Sequence, residues 1–104
     1  MENNKEQEGQ LQIELSEDVA QGTYSNLAII SHSSSEFVID FVRIVPGVHK
    51  AKVKSRIILT PEHAKRLLFA LGDNVNRFEK VFGEINLSKS DGFLPPIKGL
   101  KGEA

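Results

Sequence analysis

Ala51-Lys-Val-Lys-Ser-Arg-Ile-Ile-Leu-Thr60 runs straight into Pro61-Glu-His-Ala-Lys-Arg-Leu-Leu-Phe-Ala-Leu-Gly-Asp-Asn-Val-Asn-Arg-Phe-Glu-Lys-Val-Phe82, and the junction decides the fold. In the first part Ala51, Val53, Ile57 and Leu59 fall on one side and Lys52, Lys54 and Arg56 on the other. That alternation predicts a β-strand over 50–60 with one face on a core and one in water. In the second part Ala64, Leu67, Leu68, Leu71, Val75, Phe78 and Phe82 recur at steps of three and four, one apolar stripe along a helix over 61–82. Thr60 has the chemistry of an N-cap, Pro61 suits the first helical position, and Glu62 suits the positive end of the helix dipole. Gly83 is placed to cap the other end. With so short a connection, the helix is expected to fold back across the sheet.

Upstream, three further strands are expected. Leu11 to Leu15 alternates cleanly. Thr23 to His32 (TYSNLAIISH) carries apolar residues on both sides, and Glu36 to Val45 (EFVIDFVRIV) is the most hydrophobic. Ser16-Glu-Asp with Gly22, Ser33-Ser-Ser35 and Pro46-Gly47 supply the turns between them. The fold class is therefore α+β: a four-stranded antiparallel sheet, meander-like, with one long amphipathic C-terminal helix packed on one face. Residues 1–10 read as a disordered acidic arm, 11–86 as a single domain, and 87–104 as a flexible Pro/Gly-rich tail. Within that tail Phe93-Leu94-Pro95-Pro96-Ile97 forms an apolar knot.

Parity sets a register. If Phe37, Ile39 and Phe41 point inward together with Val53 and Ile57, opposed residue numbers must sum to an even value. A three-residue loop after Val45 (Pro46-Gly47-Val48), or a bulge there, meets that condition. It pairs Phe41 with Val53 and Phe37 with Ile57, and puts Asp40 opposite Lys54. The outer face then carries Val38, Asp40, Val42, Ile44, Lys52, Lys54, Arg56 and Ile58. Its aliphatic members would form a patch larger than monomers usually leave in water, so an interface is expected there.

The 104 residues allow one small domain, and no run of them is apolar and long enough to span a bilayer. The N-terminus lacks the basic start and apolar stretch of a secretory signal. With zero cysteines, disulfides and thiolate chemistry are excluded, and a cytoplasmic setting is expected. Net charge is −1, yet charge is segregated. Residues 1–18 hold Glu2, Glu6, Glu8, Glu14, Glu17 and Asp18 against Lys5. Residues 50–66 hold Lys50, Lys52, Lys54, Arg56, Lys65 and Arg66 against Glu62. An acidic arm and a basic ridge could meet, within a subunit or between subunits.

No catalytic constellation is legible. His32, His49 and His63 are not spaced as metal ligands, Ser33-Ser34-Ser35 has no nucleophile context, and the glycines are scattered singly. Asp40, the one acid in the hydrophobic strand, is better explained as a cross-strand ion pair than as a base. No enzyme activity, cofactor or metal is expected. The leading reading is a non-enzymatic binding and oligomerisation module acting through the aliphatic and basic sheet face. The partner is a second copy of the chain or a polypeptide. Nucleic acid held along the basic strand 50–56 is the alternative, weakened by the near-neutral net charge and the lack of interleaved aromatics.

From Gly22 through roughly Glu79 the chain resembles a family of small bacterial proteins classified only as a domain of unknown function. The resemblance rests on Tyr24-Ser-Asn-Leu-Ala-Ile-Ile, Ser35-Glu-Phe-Val-Ile-Asp-Phe, Pro46-Gly47 and Lys50-Ala-Lys-Val-Lys-Ser-Arg-Ile-Ile-Leu-Thr-Pro-Glu-His-Ala-Lys-Arg-Leu-Leu. It implies no activity and no site residue. The order of elements is also similar to the export chaperone SecB, whose subunit places a four-stranded antiparallel sheet before its helix. That similarity implies binding of unfolded polypeptide.

Overall fold

The computed structural model describes residues 9–87. In order they form a short helix α1 (Glu17–Ala20), strands β1 (Leu27–His32), β2 (Phe37–Arg43) and β3 (Lys52–Leu59), and helix α2 (Pro61–Phe82). The sheet is antiparallel in the order β1-β2-β3, a plain meander. The domain is thus α+β, with three strands among the described residues rather than four. Residues 11–15, expected as the first strand, join no ladder among the described residues. Residues 1–8 and 88–104, including the apolar knot expected at 93–97, lie outside the described residues.

Local chemistry accounts for the boundaries of α2. The Thr60 hydroxyl accepts the His63 N–H at 3.1 Å, and the Ala64 N–H reaches the Thr60 carbonyl at 2.9 Å. Pro61 starts the helix where no N–H is needed. At the far end Gly83 takes φ +99°, which an L side chain would resist, and its N–H bonds the Glu79 carbonyl at 2.9 Å. Glu62–Arg66 and Asp73–Arg77 pair at i, i+4 on the solvent side. Helix α1 escapes the strand-and-turn reading of this region, although Ser16 followed by two acids is an N-cap signal. The Ser16 side chain accepts from the Val19 N–H.

Register departs from the expectation by two residues, which preserves parity. Phe37 faces Leu59, Ile39 faces Ile57, and Asp40 faces Arg56 rather than Lys54. Pro46-Gly47 does turn the chain, with the Val48 N–H on the Val45 carbonyl at 3.1 Å and Gly47 at φ +86°. The strands nevertheless stop short of that turn, at Arg43 and Lys52. A bulge follows between Phe41 and Val42: Phe41 faces Ser55 and Val42 faces Val53, so Lys54 is the extra residue.

A bulge exchanges the faces of everything beyond it. Arg56 and Ile58 share a face with Asp40 and Val38. Past the bulge, Val53 joins that face and Lys52 moves to the opposite one, beside Arg43. The expected inward set of Val53 and Ile57 is therefore split between faces. So is the expected basic ridge of Lys52, Lys54 and Arg56.

The interior is small. Ile39, Asp40 and Val42, all on the central strand, are the buried residues among those described. No residue of α2 is buried, and the helix meets the sheet mainly at β3 instead of lying across it. The cover expected for the sheet is thus incomplete within one subunit.

The β1–β2 ladder is extended past its end by a side chain. Asn26 Oδ1 accepts the Ile44 N–H at 2.8 Å while Asn26 Nδ2 donates to the Ile44 carbonyl at 3.0 Å, imitating a backbone pair. Its own N–H bonds the Val42 carbonyl at 3.0 Å. Asn26→Ala should lower stability by about 0.5–1.5 kcal/mol, since water replaces the exposed amide. The denaturant midpoint reads this, and an unchanged midpoint would show the clamp to be idle.

Candidate functional site

The residues expected to line one exposed working face divide into three groups. Val38, Asp40, Val42, Arg56 and Ile58 do share a face. Asp40 and Val42 are nevertheless 4% and 3% exposed, so neither offers contact surface. Ile58 is exposed and Val38 half-buried. Ile44 lies past the end of β2 in the grip of Asn26, Lys54 sits at the bulge, and Lys52 is on the other face. The sheet surface is therefore not a uniform aliphatic and basic plane.

At its centre is an ion pair with fork geometry. Arg56 Nε donates to Asp40 Oδ1 at 2.6 Å and Arg56 Nη2 to Asp40 Oδ2 at 2.8 Å, so both carboxylate oxygens are engaged. The carboxylate end is buried and the guanidinium end is over half exposed. The hydrogen bonds from Arg56, and secondarily its charge, hold the Asp40 carboxyl below its ordinary value of 3.8 against the upward push of burial. Such a carboxylate is a poor general base, because it stays ionised and both oxygens are occupied. The geometry assigns it to fixing the β2–β3 register.

Arg43 lies over the Tyr24 ring at 5.8 Å, and His32 stacks on its cross-strand neighbour Phe37 at 5.3 Å. A shallow depression of about 290 Å³ is lined by Thr23, Ser25, Phe41, Ser55 and Ile57. Its polar groups are hydroxyls, with no carboxylate, imidazole or amine among the lining residues. No group of three or more His, Asp or Glu among the described residues could hold a metal ion. No helix among them is long and apolar enough to cross a membrane.

The largest chemical feature was legible in the periodicity of the sequence but not in its consequence. Leu67, Leu68, Leu71, Phe78 and Phe82 all remain exposed along α2, and Phe78 and Phe82 touch each other at 4.9 Å between ring centres. Leu71 is 58% and Phe82 73% exposed. Leu11, Ile13, Leu15 and Val19 are likewise exposed.

The sign of the Asp40 shift gives a test. A depressed carboxylate adds stability that is complete above the unfolded value of about 3.8 and is lost as pH falls through the lower folded value. Arg56→Leu leaves burial alone to act, which raises the Asp40 value. The stability gap between native chain and variant should then be widest at pH 7 and narrow below about pH 4. Urea midpoints across that range measure it, and a gap independent of pH would contradict the assignment.

No curated protein and no solved structure matches the chain. The similarity of element order to SecB finds no support in these comparisons, and the sheet on which it rested has three described strands. One family does match, over residues 1–87, a range that takes in every described element and stops short of residues 88–104. The chain belongs to the family described as a protein of unknown function, DUF3467.

Proposed function

We propose that this chain is a non-enzymatic binding module that works as a homo-oligomer, its subunit completed by a second copy. The observation that carries the reading is the stripe of α2. A helix with this much exposed leucine and phenylalanine on one side is stable in water only when that side is covered. Each such side chain contributes roughly 1.5–3 kcal/mol when fully buried, so the stripe alone can support association. The helix is about 33 Å long at ~1.5 Å per residue, enough to form much of a standard interface when laid against its symmetry mate. Self-association is favoured over a foreign partner because one stripe meeting its own copy is complementary by construction.

This reading moves the contact surface from the sheet to the helix. Binding of another molecule would then use what the assembly leaves open, and Ile58 is one exposed aliphatic on the sheet.

Sedimentation equilibrium should return a dimer or larger species at micromolar concentration, and a monomer would overturn the reading. Leu71→Asp should shift the equilibrium toward monomer by at least tenfold in Kd. Leu71 is more than half exposed in the isolated subunit, so the variant has no buried site of its own to disrupt.

A further inference from the structure

Residues 11–15 are written as a strand and are not used as one in their own subunit. Leu11, Ile13 and Leu15 alternate with Gln12 and Glu14. The three apolar side chains are 85%, 86% and 70% exposed. No backbone hydrogen bond ties these residues to another described residue outside a helix or strand. The capped turn of α1 follows at once, and the Gly22 N–H on the Val19 carbonyl sets where the segment leaves the domain.

The three-stranded sheet has an outer edge at β3 with no strand beside it among the described residues. A segment with strand alternation and a sheet edge, neither paired with another strand among the described residues, are the two halves of strand addition. We propose that the Leu11–Leu15 arm of one copy adds as the fourth strand to the β3 edge of a second copy. The proposal rests on the oligomeric reading above and names the contact that builds it.

Three observations select this edge. The regular part of β3 beyond the bulge, Ser55 to Leu59, is as long as the arm. Its faces fit: Ile57 and Leu59 lie on one face, where Leu11, Ile13 and Leu15 find apolar neighbours, and Gln12 and Glu14 fall to the other. Charge fits as well. Residues 9–18 carry Glu14, Glu17 and Asp18 and no cation, whereas β3 carries Lys52, Lys54 and Arg56 and no acid. Lysines and a bulge are devices that keep indiscriminate strands off an edge, and an acidic arm is the strand such an edge admits. The β1 edge, Leu27 to His32, carries neither lysine nor arginine.

The chain has no cysteine, so introduced thiols report unambiguously. One full-length copy carries Ile13→Cys and a second, with a different tag, carries Ile57→Cys. They are refolded together and treated with a short bismaleimide that tolerates a slip of one pair. The expected product is a covalent heterodimer of the two tagged chains. Pairing Leu59→Cys with Leu11→Cys or with Leu15→Cys then gives the strand direction. Circular dichroism confirms that each variant keeps its helix.

Four results would overturn the proposal. A chain bearing both Ile13→Cys and Ile57→Cys that links within itself, at single-chain mass, puts the arm on its own sheet. A link from Ile13→Cys to Ile30→Cys on β1 puts it on the wrong edge. No link in a sample that still sediments as an oligomer removes the arm and leaves the helix interface standing. No link in a sample that sediments as a monomer removes both.

Discussion

A three-stranded meander has one strand with neighbours on both sides, and this subunit can bury side chains only there. Ile39, Asp40 and Val42 on β2 are its interior among the described residues. Everything else follows from that shortage. A sheet of three short strands is near the lower limit of independent stability and needs a packed cover on at least one face. The obvious cover, α2, meets the sheet mainly at β3 and keeps its apolar stripe in solvent. A small domain that buries so little of its apolar surface has little to set against the entropy of ordering its chain. The proposed second copy would relieve both shortages, covering the helix stripe and giving the arm an edge to join.

One of the three buried positions is a carboxylate, which makes the core specific as well as small. An unpaired buried charge is costly, so the β2–β3 alignment that brings Arg56 to Asp40 is strongly preferred over its neighbours. A shift by two residues would offer Lys54 instead. A lysine presents a point charge where arginine presents a matched fork to both oxygens. The same ladder carries the bulge, beyond which Arg43 ends beside Lys52. The bulge in turn divides the cations of β3 between faces and the sheet edge. The ion pair at the centre and the placing of the β3 cations thus belong to one register.

Much of this was legible in local chemistry. Helix α2 begins and ends where Thr60-Pro61 and Gly83 place it, because capping depends on residues within a turn of the boundary. The Pro46-Gly47 turn and the central strand were equally local. Register was not, because hydrophobic alternation fixes only parity, and two alignments of equal parity differ by an arginine against a lysine. Nor was the bulge, which no residue type announces. Asn26 was missed because a side chain that stands in for backbone looks like any polar residue before a strand. The arm is the instructive case. Leu11-Gln-Ile-Glu-Leu15 reads as a strand, and the alternation is real, but a strand's partner need not belong to the same chain.

The account's central claim is that folding and association are one process. Its most direct measurement is the thermal unfolding midpoint as a function of protein concentration. Where the native state is an oligomer and the unfolded chains are separate, mass action raises the midpoint with each tenfold increase in concentration. A steady upward shift across two or three decades is predicted. A midpoint independent of concentration would show a subunit that is stable alone with its leucines and phenylalanines in water, and would contradict the account.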